Sequence, residues 1–192
     1  MQITVIPVTA FQQNCSLLRC EETGKGAFVD PGGDVQRLLA AAEEGDVELE
    51  KSLLTHAHID HAGGTAELAR QLSLPIEGPH EDDLFLIESL QTQGQMFGLP
   101  GAERFTPDRW LQHGDNVTVG AQTMEVRHCP GHTPGHVIFH HQALSLAIVG
   151  DILFDGSIGR SDLPRGDHAT LLRSIKEQIL TLPDDVTFLP GH

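Results

Sequence analysis

The feature that most constrains this chain is the run His56-Ala57-His58-Ile59-Asp60-His61, which places four potential metal ligands within six residues. Imidazole and carboxylate groups are the ligands that zinc and non-haem iron use in proteins. A predicted strand over residues 51–54 leads straight into the run, so these side chains would stand on a loop that a rigid element supports. The sequence therefore predicts a fold built around a metal centre.

Three later motifs offer ligands of the same kind: Gly131-His132, Gly150-Asp151 and Gly191-His192. Each follows a predicted strand, over residues 122–128, 143–149 and 186–189. Because loops that follow strands can converge on one point, we expect all of these ligands to meet.

The spacing predicts two metal sites. In an extended loop, His56 and His58 project to the same side and can reach one metal, whereas Asp60 and His61 lie further on and can serve a second. Asp151 carries two oxygens and can bridge the ions. We therefore expect His56, His58 and His132 at the first site, Asp60, His61 and His192 at the second, and Asp151 at both.

Such a centre is suited to hydrolysis. A hydroxide held between two ions ~3.5–4 Å apart is a nucleophile at neutral pH, because bound zinc can lower the pKa of water to ~7. Asp60 and Asp151 are the predicted catalytic residues, since Asp60 could orient the attacking oxygen while Asp151 bridges. The ligands favour two divalent ions, zinc first, with iron or manganese as alternatives.

Composition narrows the function classes. A net charge of −15 provides no basic face for nucleic acid. No run approaches the ~18 apolar residues of a membrane span, and the N-terminus resembles no signal peptide. Three cysteines without a CxxC pair fit a reducing cytoplasm. The 192 residues, 1–192, are predicted to form one domain.

Periodicity predicts interleaved strands and helices. Asp34 is expected to cap the first helix, in which four apolar residues share one face: Val35, Leu38, Leu39 and Ala42. Further helices are predicted over residues 65–72, 82–93 and 167–180. The other strands are predicted over residues 2–7, 14–19, 26–29, 75–77, 117–119 and 136–141.

These motifs carry a resemblance to a known family. His56-Ala57-His58-Ile59-Asp60-His61 is similar to the H-x-H-x-D-H motif of the metallo-β-lactamase superfamily, and the Gly-His, Gly-Asp and Gly-His pairs match its later motifs in order. The resemblance implies an α/β fold of four layers, an αβ/βα sandwich of two mixed β-sheets with helices on the outer faces. It also implies the same seven ligands.

Within the superfamily, the chain resembles the glyoxalase II (hydroxyacylglutathione hydrolase) group, through residues 129–136 and 189–192. Residues 157–164 resemble its compact bacterial branch. This implies hydrolysis of a thioester such as S-D-lactoylglutathione to D-lactate and glutathione. The group continues beyond its last metal histidine, so we expect a longer natural chain. Glutathione is anionic, and Arg160 and Arg165 are candidates to bind it, although a structural ion-pair role is an equal alternative.

The same fold leaves other functions open. A mono-iron persulfide dioxygenase would use His56, His132 and Asp151 as a facial triad for Fe(II). A lactonase or β-lactamase would keep hydrolysis but change the substrate, and a binding module would lack catalysis. His136 is expected to support the site or the fold, and isolated histidines such as His80 to lie at the surface. The sequence leaves the oligomeric state open.

Overall fold

The first half of the chain forms one five-stranded sheet. The computed structural model describes residues 1–99 and 101–192. Strands lie side by side in chain order, antiparallel from β1 to β3 and parallel from β3 to β5. The strands are β1 (Gln2–Val8), β2 (Gln13–Arg19), β3 (Lys25–Val29), β4 (Glu48–Leu53) and β5 (Ile76–Glu77).

Helices make the parallel crossovers of this sheet, as parallel neighbours require. Helix α1 (Val35–Glu44) joins β3 to β4, and the short α2 (Ile59–Ala62) and α3 (Thr65–Leu72) lie between β4 and β5. Helix α4 (Leu84–Phe97) then leads towards the second half of the chain.

The second half forms another five-stranded sheet, in the order β12-β9-β8-β7-β6. Its neighbours are antiparallel except for β12 and β9, which are parallel and are joined through α5 (His168–Ser174). A small hairpin, β10 (Leu153–Phe154) with β11 (Ser157–Ile158), follows β9. The main strands are β6 (Asn116–Val119), β7 (Gln122–His128), β8 (Val137–His141), β9 (Leu146–Gly150) and β12 (Thr187–Pro190).

Four apolar clusters hold the two sheets and the helices together. Between the sheets, buried Val29 and Leu53 belong to the same cluster as Val126 and Phe139. Outside the first sheet, α1 and α3 bury Leu38 and Leu68 against Phe28, and α5 covers the second sheet in the same way. Full burial of one such side chain stabilises the fold by about 1.5–3 kcal/mol. The predicted αβ/βα sandwich is confirmed.

Several local predictions need correction. Asp34 does not cap α1: its backbone is left-handed, with φ of 49°, and its carboxylate accepts a hydrogen bond from the Thr9 amide at 2.7 Å instead. The helix predicted over residues 82–93 runs from Leu84 to Phe97 after a 3₁₀ turn at Glu81–Asp83. The last helix changes to a π-helical turn over Ile175–Ile179. Across residues 1–99 and 101–192, no helix combines the length and apolarity needed to cross a membrane.

Candidate metal centre

The ends of strands from both sheets meet at one edge of the sandwich and bring the predicted ligands together. β4 leads into His56 and His58, the loop between β7 and β8 carries His132, and Asp151 follows β9. The parallel pairing of β12 with β9 places His192 beside Asp151, because the Gly191 amide donates to the Gly150 carbonyl at 2.8 Å. All seven candidate ligands therefore lie in one cluster.

The first predicted group is compact and buried. The ligand nitrogens of His56, His58 and His132 all lie within 4.8 Å of one another. His58 Nδ1 is 3.0 Å from His132 Nε2. Three nitrogen atoms at such separations can bind one ion, since zinc–nitrogen bonds are about 2.0–2.1 Å long.

The second predicted group lies next to the first. Ligand atoms of Asp60, His61 and His192 also fall within 4.8 Å of one another, and His192 Nε2 is 3.2 Å from Asp60 Oδ2. Asp151 stands between the groups: its Oδ1 is 3.3 Å from His61 Nε2, and its Oδ2 is 3.6 Å from His132 Nε2. The two oxygens of Asp151 therefore each face a member of a different group.

Unpaired polar atoms at the centre fit a role in cation binding. Among the residues that the structure describes, His56 Nε2, His58 Nε2, His61 Nε2 and Asp151 Oδ1 are buried without a hydrogen-bond partner. Buried polar atoms are normally paired, because an unpaired one costs about 1–3 kcal/mol. Nitrogen and oxygen atoms grouped in this way are the donor set of a divalent-metal site.

The pKa shifts also fit cation binding. Burial lowers the pKa of His56, and it lowers the pKa of His58 to about 3 with help from His132. Burial alone would raise the pKa of Asp151, but the imidazoles of His61 and His132 lower it below its usual range. Neutral imidazoles and ionised carboxylates are the forms that bind metals.

His61 behaves differently. Burial lowers its pKa, but the carboxylates of Asp151 and Asp60 outweigh burial and raise it. A metal that binds His61 would therefore displace a proton, so binding at this group becomes weaker as the pH falls.

A buried carboxylate that sequence reasoning overlooked fixes two of these imidazoles. Asp30 accepts hydrogen bonds from the Thr55 amide at 2.7 Å, from the Thr55 hydroxyl at 2.6 Å and from His61 Nδ1 at 3.0 Å. Because the Thr55 hydroxyl donates to Asp30, it accepts from His56 Nδ1 at 3.0 Å. Both rings are thereby held with Nδ1 protonated, so Nε2 is the atom left to bind a metal, in His61 after it has lost its second proton.

A second overlooked carboxylate links the ligand loops. Asp83, which is fully buried at the start of α4, accepts hydrogen bonds from the Ala57 amide at 3.0 Å, the Thr133 hydroxyl at 2.9 Å and the Gly135 amide at 2.6 Å. Ala57 lies between two candidate ligands, and Thr133 follows another. One side chain thus connects the loop after β4 to the loop before β8.

The structure also shows the contacts of two histidines outside the candidate ligand groups. His136 is buried, stacks on His56 with 4.7 Å between ring centroids, and accepts a hydrogen bond from the Asp151 amide at 3.1 Å. This agrees with the expected supporting position. His80, expected at the surface, is half-buried, because its ring stacks on His128 at 4.2 Å.

A cavity of about 990 Å³ opens over the cluster. Its floor includes His58, Asp60 and Asp151. Of the predicted substrate-binding residues, Arg160 lines the cavity. Its guanidinium forms a bidentate ion pair with Asp162, with 2.8 Å from Nε to Oδ1 and 2.8 Å from Nη2 to Oδ2. Arg165 is not among the described lining residues, and its guanidinium lies 4.0 Å above the Phe85 ring.

Comparison with known proteins identifies the family. The family model described as "Metallo-beta-lactamase superfamily" matches residues 8–192. The chain belongs to this superfamily. Hydroxyacylglutathione hydrolase GloC of Haemophilus influenzae is 47% identical over all of the chain and 91% of its own length. The probable metallo-hydrolase YqgX of Bacillus subtilis is 32% identical over 97% of the chain and 88% of its own length. The chain is a metal-dependent hydrolase.

Solved structures of other proteins agree with the fold. The BLEG-1 B3 metallo-β-lactamase superposes with a TM-score of 0.90 at 33% identity, over 100% of this chain and 91% of its own. TTHA1623, in a di-iron-bound form, gives 0.88 at 35% identity, over 98% and 91%. ETHE1 from Myxococcus xanthus gives 0.82 at 23% identity, over 100% and 76%, and supports the fold alone.

Proposed function

We propose that this superfamily member is a two-metal thioesterase that hydrolyses S-D-lactoylglutathione to D-lactate and glutathione. The observation that carries the proposal is the pair of ligand groups that share Asp151 on the floor of a cavity. The similarity to hydroxyacylglutathione hydrolase GloC supports the choice of a thioester.

Two divalent ions at these groups would act as Lewis acids and activate water. The side chains around them would set the geometry of the reaction. The cavity admits the thioester to the floor, where Asp60 and His192 lie 3.2 Å apart. Asp60 can hold the attacking water by accepting its hydrogen bond, and Asp30 keeps His61 in the required tautomer. Arg160 would reach a carboxylate of glutathione by leaving its pair with Asp162.

Metal stoichiometry tests the two-metal assignment. As-purified protein should carry about two metals per chain and hydrolyse S-lactoylglutathione in the same preparation. Asp60→Ala and His192→Ala should each lose metal from the second group, because each removes one of its ligands. His113→Ala, at an exposed histidine outside the cluster, is the matched control and should keep both. Full metal content and full turnover in Asp60→Ala would refute the mechanism.

The identity of the metal needs its own measurement. We propose zinc, because zinc binds readily to donor sets rich in histidine. Iron is the alternative, since TTHA1623 was obtained in a di-iron-bound form. Metal analysis of protein grown with each metal in excess, followed by turnover per bound ion, separates the two.

The same samples test the dioxygenase and β-lactamase alternatives. A mono-iron dioxygenase would leave Asp60, His61 and His192 without a metal, although they lie close together. About one iron per chain, oxygen uptake with glutathione persulfide and no thioester turnover would favour it. Hydrolysis of a β-lactam faster than of the thioester would favour an activity like that named for BLEG-1.

A further inference from the structure

Large apolar side chains are exposed beside the candidate metal centre. Phe11, in the turn after β1, is 39% exposed, and Met96 and Phe97, at the end of α4, are 73% and 52% exposed. The rings of Phe11 and Phe97 meet edge to face, with 6.1 Å between centroids. All three residues line the cavity above the metal ligands, and we refer to them as the apolar rim.

The interior of the cavity continues this apolar surface. Leu86, Phe154 and Ile158 also line it, and the Phe154 ring lies 6.2 Å from the ring of His192. Apolar side chains therefore line the cavity both at the rim and beside the candidate ligand His192. Apolar surface beside a reactive centre favours a substrate that covers it, because removing that surface from water is favourable.

The charges in the cavity offer little to an anionic substrate. Among the described lining residues, Arg160 is the one permanently cationic side chain, and Asp162 already pairs with it through two contacts of 2.8 Å. Asp155 adds a carboxylate to the lining, and the whole chain carries a net charge of −15. A substrate would therefore gain more binding free energy from apolar contact with the cavity than from ion pairs made by its carboxylates.

We infer that the preferred substrates are thioesters with an apolar acyl chain longer than lactoyl, and that this chain lies along the apolar rim. The inference rests on the proposed thioesterase function and adds the acyl class. Water attacks the thioester carbonyl, a C–O bond forms, the C–S bond breaks, and a carboxylic acid and a thiol leave. Burial of each added methylene on the rim should raise kcat/KM about fourfold until the rim is covered.

The test is a series of glutathione thioesters with acetyl, butyryl, hexanoyl and octanoyl groups, with D-lactoyl as the reference. Wild-type metal-loaded protein is assayed at substrate concentrations below micelle formation. We expect kcat/KM to rise with acyl length. In Phe97→Ala, the ratio of octanoyl to acetyl kcat/KM should fall at least tenfold. Met96→Ala should lower the ratio too, and its exposed side chain can be truncated without cost to the core.

Leu180→Ala is the matched control, because Leu180 is 70% exposed and lies away from the cavity lining. Its octanoyl-to-acetyl ratio should equal that of the wild type. A flat series with active D-lactoylglutathione turnover would overturn the acyl inference and leave the thioesterase proposal intact. A rising series that both rim variants leave unchanged would overturn the location. Absence of turnover on every thioester, at full metal content, would overturn both.

Discussion

Replacing Asp83 by asparagine should separate the two ligand loops. The amide keeps the size of the carboxylate but has one acceptor oxygen, so either the Ala57 amide or the Gly135 amide must face an NH₂ group. A charge-assisted hydrogen bond contributes about 1.5–3 kcal/mol, and a buried N–H without an acceptor costs about 1–3 kcal/mol. These terms describe the same lost contact in part, and burial, which raises the pKa of Asp83 to about 6, makes its charged form costly in the fold. We therefore expect the free energy of unfolding at pH 7 to fall by about 1–3 kcal/mol.

The loss should extend to metal affinity, because the loop with His58 and the loop with His132 would no longer be held at a fixed separation. Partners of this supporting kind typically contribute 10–100-fold to metal binding. Urea unfolding of the metal-free protein and competition with a chelator measure the two effects. Asp82→Asn is the matched control, since that side chain is 56% exposed, and it should change stability by less than about 0.5 kcal/mol. An Asp83→Asn protein as stable as this control would refute the reasoning.

Three further changes test the same centre. Gly191→Ala should abolish metal binding at the second group, because a Cβ there would lie 2.2 Å from Asp151 Oδ1 and 2.6 Å from His61 Cε1; metal analysis of folded variant protein checks this. Thr55→Val should weaken metal binding about tenfold by freeing His56 Nδ1, and equal affinity by titration would contradict it. The metal-free protein should lose stability as the pH falls below about 6.5, by about 1.4 kcal/mol per pH unit for each histidine that must stay neutral in the fold. The histidines with a lowered pKa are His56, His58, His128, His132, His136 and His141. His61 and His192, whose pKa values are raised, add stability only as the pH falls towards 6.5 and none below it, whereas Asp83, whose pKa burial raises to about 6, opposes the trend below that pH. Urea unfolding from pH 8 to pH 5.5 measures the sum.

The candidate ligands could be predicted from the sequence because their chemistry is local. His56 and His58 share a strand end, and the Gly-His and Gly-Asp pairs mark the ends of three more strands. Because strand ends converge on one edge of a sheet, the clustering of the candidate ligands could be predicted without knowledge of long-range contacts. Their roles as ligands stay a prediction until metal is measured.

The residues that orient the ligands could not be predicted in the same way, since their contacts join distant parts of the chain. Asp83 meets Gly135, 52 positions away, and Asp30 meets His61, 31 positions away. A signal for Asp30 existed, because it directly follows β3 and precedes Pro31 and Gly32. The prediction for Asp34 was wrong for a related reason. An aspartate before a helix usually caps it, but here the amide of Thr9, in the turn after β1, binds the carboxylate instead.

The division of the sheets along the chain has a consequence for the order of assembly. Residues 2–77 contribute the first sheet and residues 116–190 the second, and each candidate ligand group draws members from both halves. A nascent chain that has made only the first half holds His56 and His58 without His132, and Asp60 and His61 without His192. High-affinity metal uptake should therefore come late in folding, after the halves have docked. The metal content of a sample would then report the fraction of fully folded molecules. A chain that stops folding after the first half would lack a high-affinity metal site.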